Sequence, residues 1–206
     1  MSVLSVSGIR KRFGATISLD GVDFDLDRGE VMAVIGENGA GKSTLMNIIA
    51  GLMKPDSGQI FFNGRSVSYI HQELSLFPHL TVAENVFVGL EPLRFGLLDR
   101  RRMNVRTQEL LESFNRPEIR PDITVANLSS ASRQVVEICR ALASNADLIL
   151  MDEPTSSLQQ SDTERLFKII RNLSARGVSV IYVSHFLEEV RRVAQRAVVL
   201  RNGQSV

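Results

Sequence analysis

The sequence has little that would place it outside the cell or inside a membrane. It contains one cysteine, Cys139, so no internal disulfide can form, which is typical of a reducing compartment. No apolar run approaches the ~20 residues that a membrane span needs. The N-terminus also lacks the continuous apolar segment of a secretory signal peptide. We therefore expect a cytosolic protein, which could still dock on a membrane protein.

An excess of charge of one sign is also absent. The chain has 24 Lys and Arg against 23 Asp and Glu, a net charge of +1, so no overall field indicates nucleic acid or an acidic membrane. The one basic cluster, RFGLLDRRRMNVR (94–106), is interpreted as the solvated approach to a helix. Internal repeats and low-complexity segments are missing. A chain of 206 residues suits one α/β domain with sub-lobes.

What the sequence does contain is an alternation of strands and helices. Apolar runs such as EVMAVIG, DLILMD and VSVIYVS predict buried strands, and the segments between them predict helices, which implies a parallel sheet. VLSVSGI and VDFDLD alternate like strands with one exposed face. We predict a core with an N-terminal antiparallel β lobe at about 1–77 and 146–206, and a helical lobe at about 78–145.

The stretch GENGAGKST matches G-x-x-x-x-G-K-[ST] and lies between a predicted strand and a predicted helix. Its glycines let the backbone turn tightly, so that N–H groups and the helix N-terminus face phosphate oxygens. Lys42 reaches the β- and γ-phosphates, and Ser43 offers a hydroxyl to Mg²⁺. The nucleotide-binding residues predicted here are Gly36, Glu37, Asn38, Gly39, Ala40, Gly41, Lys42, Ser43 and Thr44. The fold class is then an α/β P-loop NTPase with a RecA-like core.

Polar side chains follow two other predicted strands. Asp152 ends LILMD, where ligands bind in open α/β sheets, and is placed to hold Mg²⁺. Glu153 can polarise a water for attack on the γ-phosphate. Two acids after a strand also occur as a helix N-cap, but the phosphate loop favours catalysis. His185 ends VIYVSH at the same sheet edge, and we expect it to contact the γ-phosphate.

In this order, these pieces resemble the nucleotide-binding domain of ABC transporters over nearly the whole chain. The resemblance implies that Phe13 stacks on adenine and that Gln72 senses the nucleotide, its metal and the membrane partner. It also implies Asp152 at the end of Walker B, Glu153 as catalytic base and His185 as switch histidine. Residues 128–132 (LSSAS) occupy the signature position, and 156–159 (SSLQ) the D-loop.

A closer resemblance is to the first of two nucleotide-binding domains in bacterial monosaccharide importers of the ribose, galactose and xylose type. It rests on IHQELSLFPHLTVAENVFVG and RQVVEICRAL. It implies ATP and Mg²⁺ as cofactors, and permease subunits and a second nucleotide-binding domain as partners, with an indirect link to a periplasmic solute-binding protein and none to nucleic acid. The natural protein would be about twice as long and would lie on the cytoplasmic face of the bacterial inner membrane.

Two departures from the family pattern bear on function. The segment between Gly64 and Gln72 is short, so either a loop is deleted or residues near Ser68 are missing from this sequence. The signature lacks glycine. In the family it reads the γ-phosphate bound to the opposite subunit, so Ser129 and Ala131 are expected to act in trans, through a hydroxyl and backbone N–H groups. LSSAS is also a helix cap, and the two roles are compatible.

Three alternatives to a transport ATPase were weighed. An ABC ATPase acting on nucleic acid or the ribosome would have a long heptad insertion within 73–127 or a basic linker, and neither is present. A regulatory module that binds nucleotide without hydrolysing it fits the glycine-free signature but not the intact Glu153 and His185. A P-loop kinase leaves LSSASRQ, the D-loop and His185 unexplained.

Overall fold

A computed structural model describes residues 2–72 and 74–206 of the chain. It divides into two compact units. The first comprises the chain up to Tyr69 together with Ala146–Glu153 and Ile170–Val206, and the second comprises Ile70–Asn145 and Pro154–Ile169. No helix within the described ranges is long and apolar enough to span a bilayer.

The first unit contains a three-stranded antiparallel sheet near the N-terminus. Its strands are β1 (Ser2–Phe13), β2 (Thr16–Asp27) and β4 (Ser57–Phe62), in the order β2-β1-β4. Apolar residues alternate with polar ones along β1 and β2, so each strand buries one face. The antiparallel β lobe predicted from the sequence is therefore confirmed, and both of its first strands are longer than the predicted segments.

A six-stranded sheet forms the rest of the first unit's framework, in the order β11-β10-β3-β9-β8-β5. Its strands are β3 (Val31–Gly36), β5 (Val67–Ile70), β8 (Leu148–Asp152), β9 (Ser179–Val183), β10 (Arg196–Arg201) and β11 (Gln204–Ser205). Strands β10, β3, β9 and β8 are parallel. Their carboxyl ends therefore share one edge, where Gly36, Asp152 and the residues after Val183 emerge.

Helices α1 (Lys42–Ile49) and α6 (Leu187–Val193) also belong to this unit, and α5 (Gln160–Ala175) ends in it. Strands β8 and β9 are buried on both faces, as continuous apolar runs require. The core of the unit joins strand residues such as Met32 and Ile181 to Leu45 and Met46 of α1. This packing fixes the start of α1, and with it the phosphate loop, against the sheet.

The second unit is mainly helical, as predicted. It contains α2 (Val82–Phe87), α3 (Arg100–Glu112) and α4 (Ser130–Ala143), which pack on one another, and a short 3₁₀ helix at Val125–Asn127. Thr81 and Glu84 form a reciprocal capping box that starts α2. Cys139 is fully buried in α4, and burial raises the pKa of its thiol to about 12, so it is a packing residue rather than a nucleophile.

One element of the second unit differs from the prediction. The basic stretch 94–106 was interpreted as the approach to a helix, and α3 does begin at Arg100. Before it, however, β6 (Leu93–Arg94) and β7 (Leu97–Leu98) form a two-stranded hairpin of their own. The usual hairpin signal is absent, because the turn is Phe-Gly rather than Asn-Gly or Asp-Gly.

Candidate functional site

The predicted phosphate loop connects the end of β3 to the start of α1. Gly41 is the N-cap of α1, so the helix N-terminus, with its unpaired N–H groups and partial positive charge, lies at the end of the loop. Lys42 is buried, and its Nζ donates to the carbonyl oxygens of Gly36 at 2.7 Å and Glu37 at 2.9 Å. The Lys42 ammonium therefore lies over the loop, where it could contact a bound anion.

The loop glycines are needed for two different reasons. Gly39 and Gly41 have φ of 81° and 101°, a region that side chains with a Cβ rarely adopt. Gly36 does not have a positive φ, so its place in the turn does not depend on a left-handed backbone. A Cβ there would lie 2.6 Å from the carbonyl oxygen of Leu200 in β10. Gly36 is thus required by the close approach of the neighbouring strand.

Ser43 and Asp152 meet at the carboxyl edge of the sheet. Ser43 Oγ donates to Asp152 Oδ2 at 3.2 Å, and Tyr69 OH donates to the same oxygen at 3.3 Å. Burial raises the pKa of Asp152, and burial followed by the nearby carboxylate raises the pKa of Tyr69. Tyr69 therefore stays protonated and acts as a donor.

These oxygen donors fit Mg²⁺ better than a transition metal. Among the described residues, no group of three or more His, Cys, Asp or Glu side chains could form a metal cage. Mg²⁺ commonly uses one or two protein oxygens and completes its shell with water and nucleotide phosphates. A single hydroxyl and a single carboxylate beside a phosphate loop match that pattern.

Tyr69 is a residue that the sequence analysis missed. The strand SVSYIHQ was predicted, but nothing in it says which group its tyrosine contacts. A half-buried tyrosine hydroxyl needs a hydrogen-bond partner. A tyrosine in a predicted strand therefore indicates a polar neighbour, but it does not identify that neighbour as Asp152.

Glu153 and His185 lie side by side. His185 Nδ1 is 2.9 Å from Glu153 Oε1, and the carboxylate is largely shielded while the imidazole is half exposed. Glu153 has φ of 47°, which is costly for a residue other than glycine. Its N–H still donates to the carbonyl oxygen of Val183 at 3.0 Å, so the backbone turns at Glu153 without losing the hydrogen bond to β9.

Phe13 ends β1 and is half exposed, with Lys11 Nζ 5.9 Å from its ring centroid. The hairpin of β1 and β2 also contacts the loop, because Ser18 Oγ donates to Thr44 Oγ1 at 2.8 Å. The first unit thus combines Phe13, the phosphate loop, Asp152, Glu153 and His185 in one compact body.

The other predicted site residues belong to the second unit. Gln72 comes two residues after β5 and is exposed. Ser129 is the N-cap of α4, and its Oγ accepts the N–H of Ser132 at 3.2 Å. The capping role is therefore real, and Ser132 has its N–H occupied and its side chain buried. The groups that this helix start presents to a ligand are the N–H groups of Ser130 and Ala131, since the Ser129 hydroxyl already donates to Ser132 Oγ.

A buried polar network supports the start of α4. Arg116 donates to Asp162 Oδ2 at 2.5 Å and to Ser132 Oγ at 3.1 Å, and Ser129 Oγ donates to Ser132 Oγ at 3.0 Å. Asp162 is fully buried and also pairs with Arg165 at 3.1 Å. The role of Arg116 could not be predicted from the sequence, because partners 16 and 46 residues away leave no local pattern.

A family model described as ABC transporter matches residues 19–156. The chain belongs to the ABC transporter family of ATP-binding proteins. The match includes the phosphate loop, the signature position and the strand that ends at Asp152. It covers most of the chain and agrees with the resemblance and fold class that the sequence motifs predicted.

Relatives within the ABC family are sugar-import proteins by name. The chain is 45% identical over 217 aligned residues to the ribose import ATP-binding protein RbsA 1 of Rubrobacter xylanophilus, covering 99% of this chain and 43% of that protein. It is 45% identical to the putative ribose/galactose/methyl galactoside import ATP-binding protein 3 of Burkholderia cenocepacia, covering 99% and 42%. The chain thus spans less than half the length of these relatives.

Solved ABC cassettes have the same fold. The dimeric MJ0796 cassette in a post-hydrolysis state, bound to ADP and Pi, superposes with a TM-score of 0.86 and 26% identity, over 98% of this chain and 96% of that one. A nucleotide-free cassette from an ABC transporter gives 0.83 and 27%, over 100% and 90%. The α/β fold of a P-loop NTPase, predicted from the motifs, is confirmed.

Proposed function

We propose that this chain is the ATP-binding and ATP-hydrolysing domain of an ABC importer and powers the uptake of a sugar through a membrane permease. The observation that carries the proposal is the cluster in the first unit: Lys42 folded over the loop, Asp152 beside Ser43, and Glu153 paired with His185. The names of the relatives support import and a sugar as cargo.

Within the first unit, ATP is bound by the N–H groups of 36–44 and by Lys42, while Phe13 stacks on the adenine. Ser43 and Asp152 hold Mg²⁺, which when bound neutralises phosphate charge. Glu153 accepts a proton from the attacking water. His185 contacts the γ-phosphate, and its hydrogen bond orients the Glu153 carboxylate. The positions of Lys42, Ser43, Asp152, Glu153 and His185 in the first unit support these roles.

Two nucleotide-binding domains close head to tail around two ATP molecules. Ser129 and Ala131 contact the γ-phosphate bound to the opposite domain, and dimeric structures of the cassette MJ0796 support such an assembly. Gln72 reaches the metal and signals to the permease subunits, which dock near it and near the helical lobe. A periplasmic solute-binding protein delivers the cargo to the permease.

The chain is one half of a longer protein that lies on the cytoplasmic face of a bacterial inner membrane. The covered shares of 43% and 42% of the relatives' lengths support a protein with a second, similar domain. We also propose that the helical lobe extends from about 78 to about 145, and that the segment between Gly64 and Gln72 is shorter than in other members of the family. In the structure, only residues 63–66 separate β4 from β5.

The test is the Glu153→Gln variant, which removes the base and leaves the nucleotide site intact. We expect ATP hydrolysis to fall by at least about a hundredfold, while ATP binding persists and light scattering with Mg²⁺-ATP shows a dimer. Adding Ser129→Arg should prevent that dimer without weakening ATP binding. Hydrolysis at the wild-type rate by Glu153→Gln would contradict the role of the base, and stimulation by DNA or RNA would contradict import.

A further inference from the structure

The hairpin β6–β7 is the most exposed apolar feature of the second unit. Phe95 at its tip is 94% exposed, Leu97 75% and Leu93 64%. Leu93 and Leu98 are paired across the ladder, and Leu97 is paired with Arg94, so side chains of both faces and of the tip reach solvent. We refer to residues 93–98 as the apolar hairpin. An exposed apolar group of this size usually marks an interaction site.

The turn of this hairpin is built against the local preferences of the backbone. Phe95 and Gly96 form its two-residue loop, with φ of 53° and 81°, as in a type I′ turn. Asn or Asp is favoured at the first of these positions, and a bulky aromatic with positive φ is an outlier. The Phe95 side chain is almost fully exposed, and the guanidinium carbon of Arg94 lies 5.6 Å from the centroid of its ring. Neither turn geometry nor packing accounts for the phenylalanine.

Positive charge is concentrated in the sequence around the hairpin. Residues 91–106 contain five arginines and two carboxylates, a net charge of +3, whereas the whole chain carries only +1. Asp99 is occupied as the cap of α3, and Arg100 lies 3.7 Å from Glu84. In the part of the chain that the structure describes, no carboxylate lies within 4.0 Å of a guanidinium nitrogen of Arg94, Arg101 or Arg102.

An apolar tip in a segment rich in arginine fits the interface of an anionic lipid bilayer. Phenylalanine and leucine favour the boundary between headgroups and acyl chains, and arginines favour the lipid phosphates just above it. A bilayer can also surround a hairpin that carries leucines on both faces. We propose that the apolar hairpin inserts into the headgroup region of an anionic membrane and that Arg94, Arg101 and Arg102 bind lipid phosphates. This contact does not depend on ATP hydrolysis.

The first experiment uses tryptophan as a reporter, because the chain has none. Phe95→Trp places a single indole at the tip. Phe61→Trp, in β4 of the first unit, is the matched control, since Phe61 is 68% exposed. With protein-free vesicles of phosphatidylethanolamine and phosphatidylglycerol, we expect a blue shift and quenching by brominated lipid for the Phe95 variant alone. Pure phosphatidylcholine vesicles or high salt should abolish both signals.

The second experiment measures co-sedimentation with the same vesicles. Phe95→Asn suits the turn better than the wild-type residue, so the fold should persist, while vesicle binding should weaken by at least about tenfold. Arg101→Gln and Arg102→Gln should each weaken it by about fivefold. The proposal is overturned if the indole at position 95 reports no insertion, if position 61 reports the same insertion, or if Phe95→Asn binds as well as the wild type. A hairpin that serves a protein partner instead would give the first of these results.

Discussion

At Gly41 the phosphate loop touches the β1–β2 hairpin so closely that no side chain fits. A Cβ there would lie 2.4 Å from the carbonyl oxygen of Ser18, whereas a Cβ at Gly39 would meet nothing within 4 Å. Both residues have a positive φ. Replacing each glycine with alanine therefore separates two effects. Both positions have the strain of a positive φ, but only Gly41 has a steric clash as well.

We predict that Gly39→Ala lowers the free energy of unfolding by about 1–2 kcal/mol, the cost of the left-handed conformation. Gly41→Ala should cost clearly more and should also weaken ATP binding, because the loop must move away from β2. Urea unfolding and equilibrium ATP binding measure the two effects. Equal losses in the two variants would show that the contact with Ser18 is unimportant.

Tyr69 offers a second test at this scale. Its hydroxyl donates to the carboxylate that we assign to Mg²⁺, so Tyr69→Phe should lower the affinity for Mg²⁺ by about tenfold, as changes to the partners of metal ligands do. ATP binding without Mg²⁺ should not change. The measurement is the dependence of nucleotide binding and of hydrolysis on Mg²⁺ concentration.

Tyr182 supplies the matched control, because its hydroxyl also donates to a carboxylate, Glu189 Oε2, at 2.8 Å. Tyr182→Phe removes the same group away from the proposed metal site. We expect it to lower thermal stability slightly and to leave the Mg²⁺ dependence unchanged. If both variants shift the Mg²⁺ dependence equally, Tyr69 has no special role.

At the scale of the element, α4 contains a carboxylate, Glu137, whose charged form is disfavoured in the folded protein. Glu137 is buried, its Oε2 has no hydrogen-bond partner within the described structure, and Arg140 lies 4.0 Å from Oε1. Burial raises the pKa of Glu137 above its ordinary value. The folded state therefore holds this proton more tightly than the unfolded state, and stability falls as pH rises through the folded pKa.

We predict that Glu137→Gln is more stable than the wild type at neutral pH, since it removes a buried charge. The difference should shrink in acid, below the ordinary pKa of a glutamate, where both states of the wild type are protonated. Urea unfolding across a pH series measures it, with Glu112→Gln in α3 as an exposed control. A difference that does not change with pH would contradict the assignment to Glu137.

Strand β8 and the hairpin show what local sequence can predict. Strand β8 was predicted because LILM is a continuous apolar run, and all five of its residues are buried in the structure. The β6–β7 hairpin was not, because its Phe-Gly turn violates the usual rule. Tyr69 and Arg116 were missed for a different reason. Their partners are distant in sequence, and only the folded chain brings them together.

At the scale of the whole molecule, Arg116 ties together distant parts of the second unit. It joins a loop to the first turn of α4 and to the buried Asp162 of α5. Arg116→Met should lower the free energy of unfolding by about 3 kcal/mol, because a buried carboxylate loses a main partner. Arg120→Met is the control, since Arg120 and Asp122 form an exposed pair, worth about 0–1 kcal/mol. Chemical unfolding compares them, and similar losses would argue against a structural role for the network.

The sheet order has a consequence for how the chain is made. Strand β3, which delivers the phosphate loop, lies between β9 and β10, and both of these neighbours come late in the printed sequence. When residue 150 has been added, the phosphate-loop motif has therefore already left the ribosome. The strands that flank β3, which are β9 and β10, have not yet been made. Such long-range pairing is slow to form. The growing chain thus acquires its ability to bind ATP only near the end of the synthesis of this domain. Until then β3 is an apolar strand without its neighbours and is exposed to aggregation.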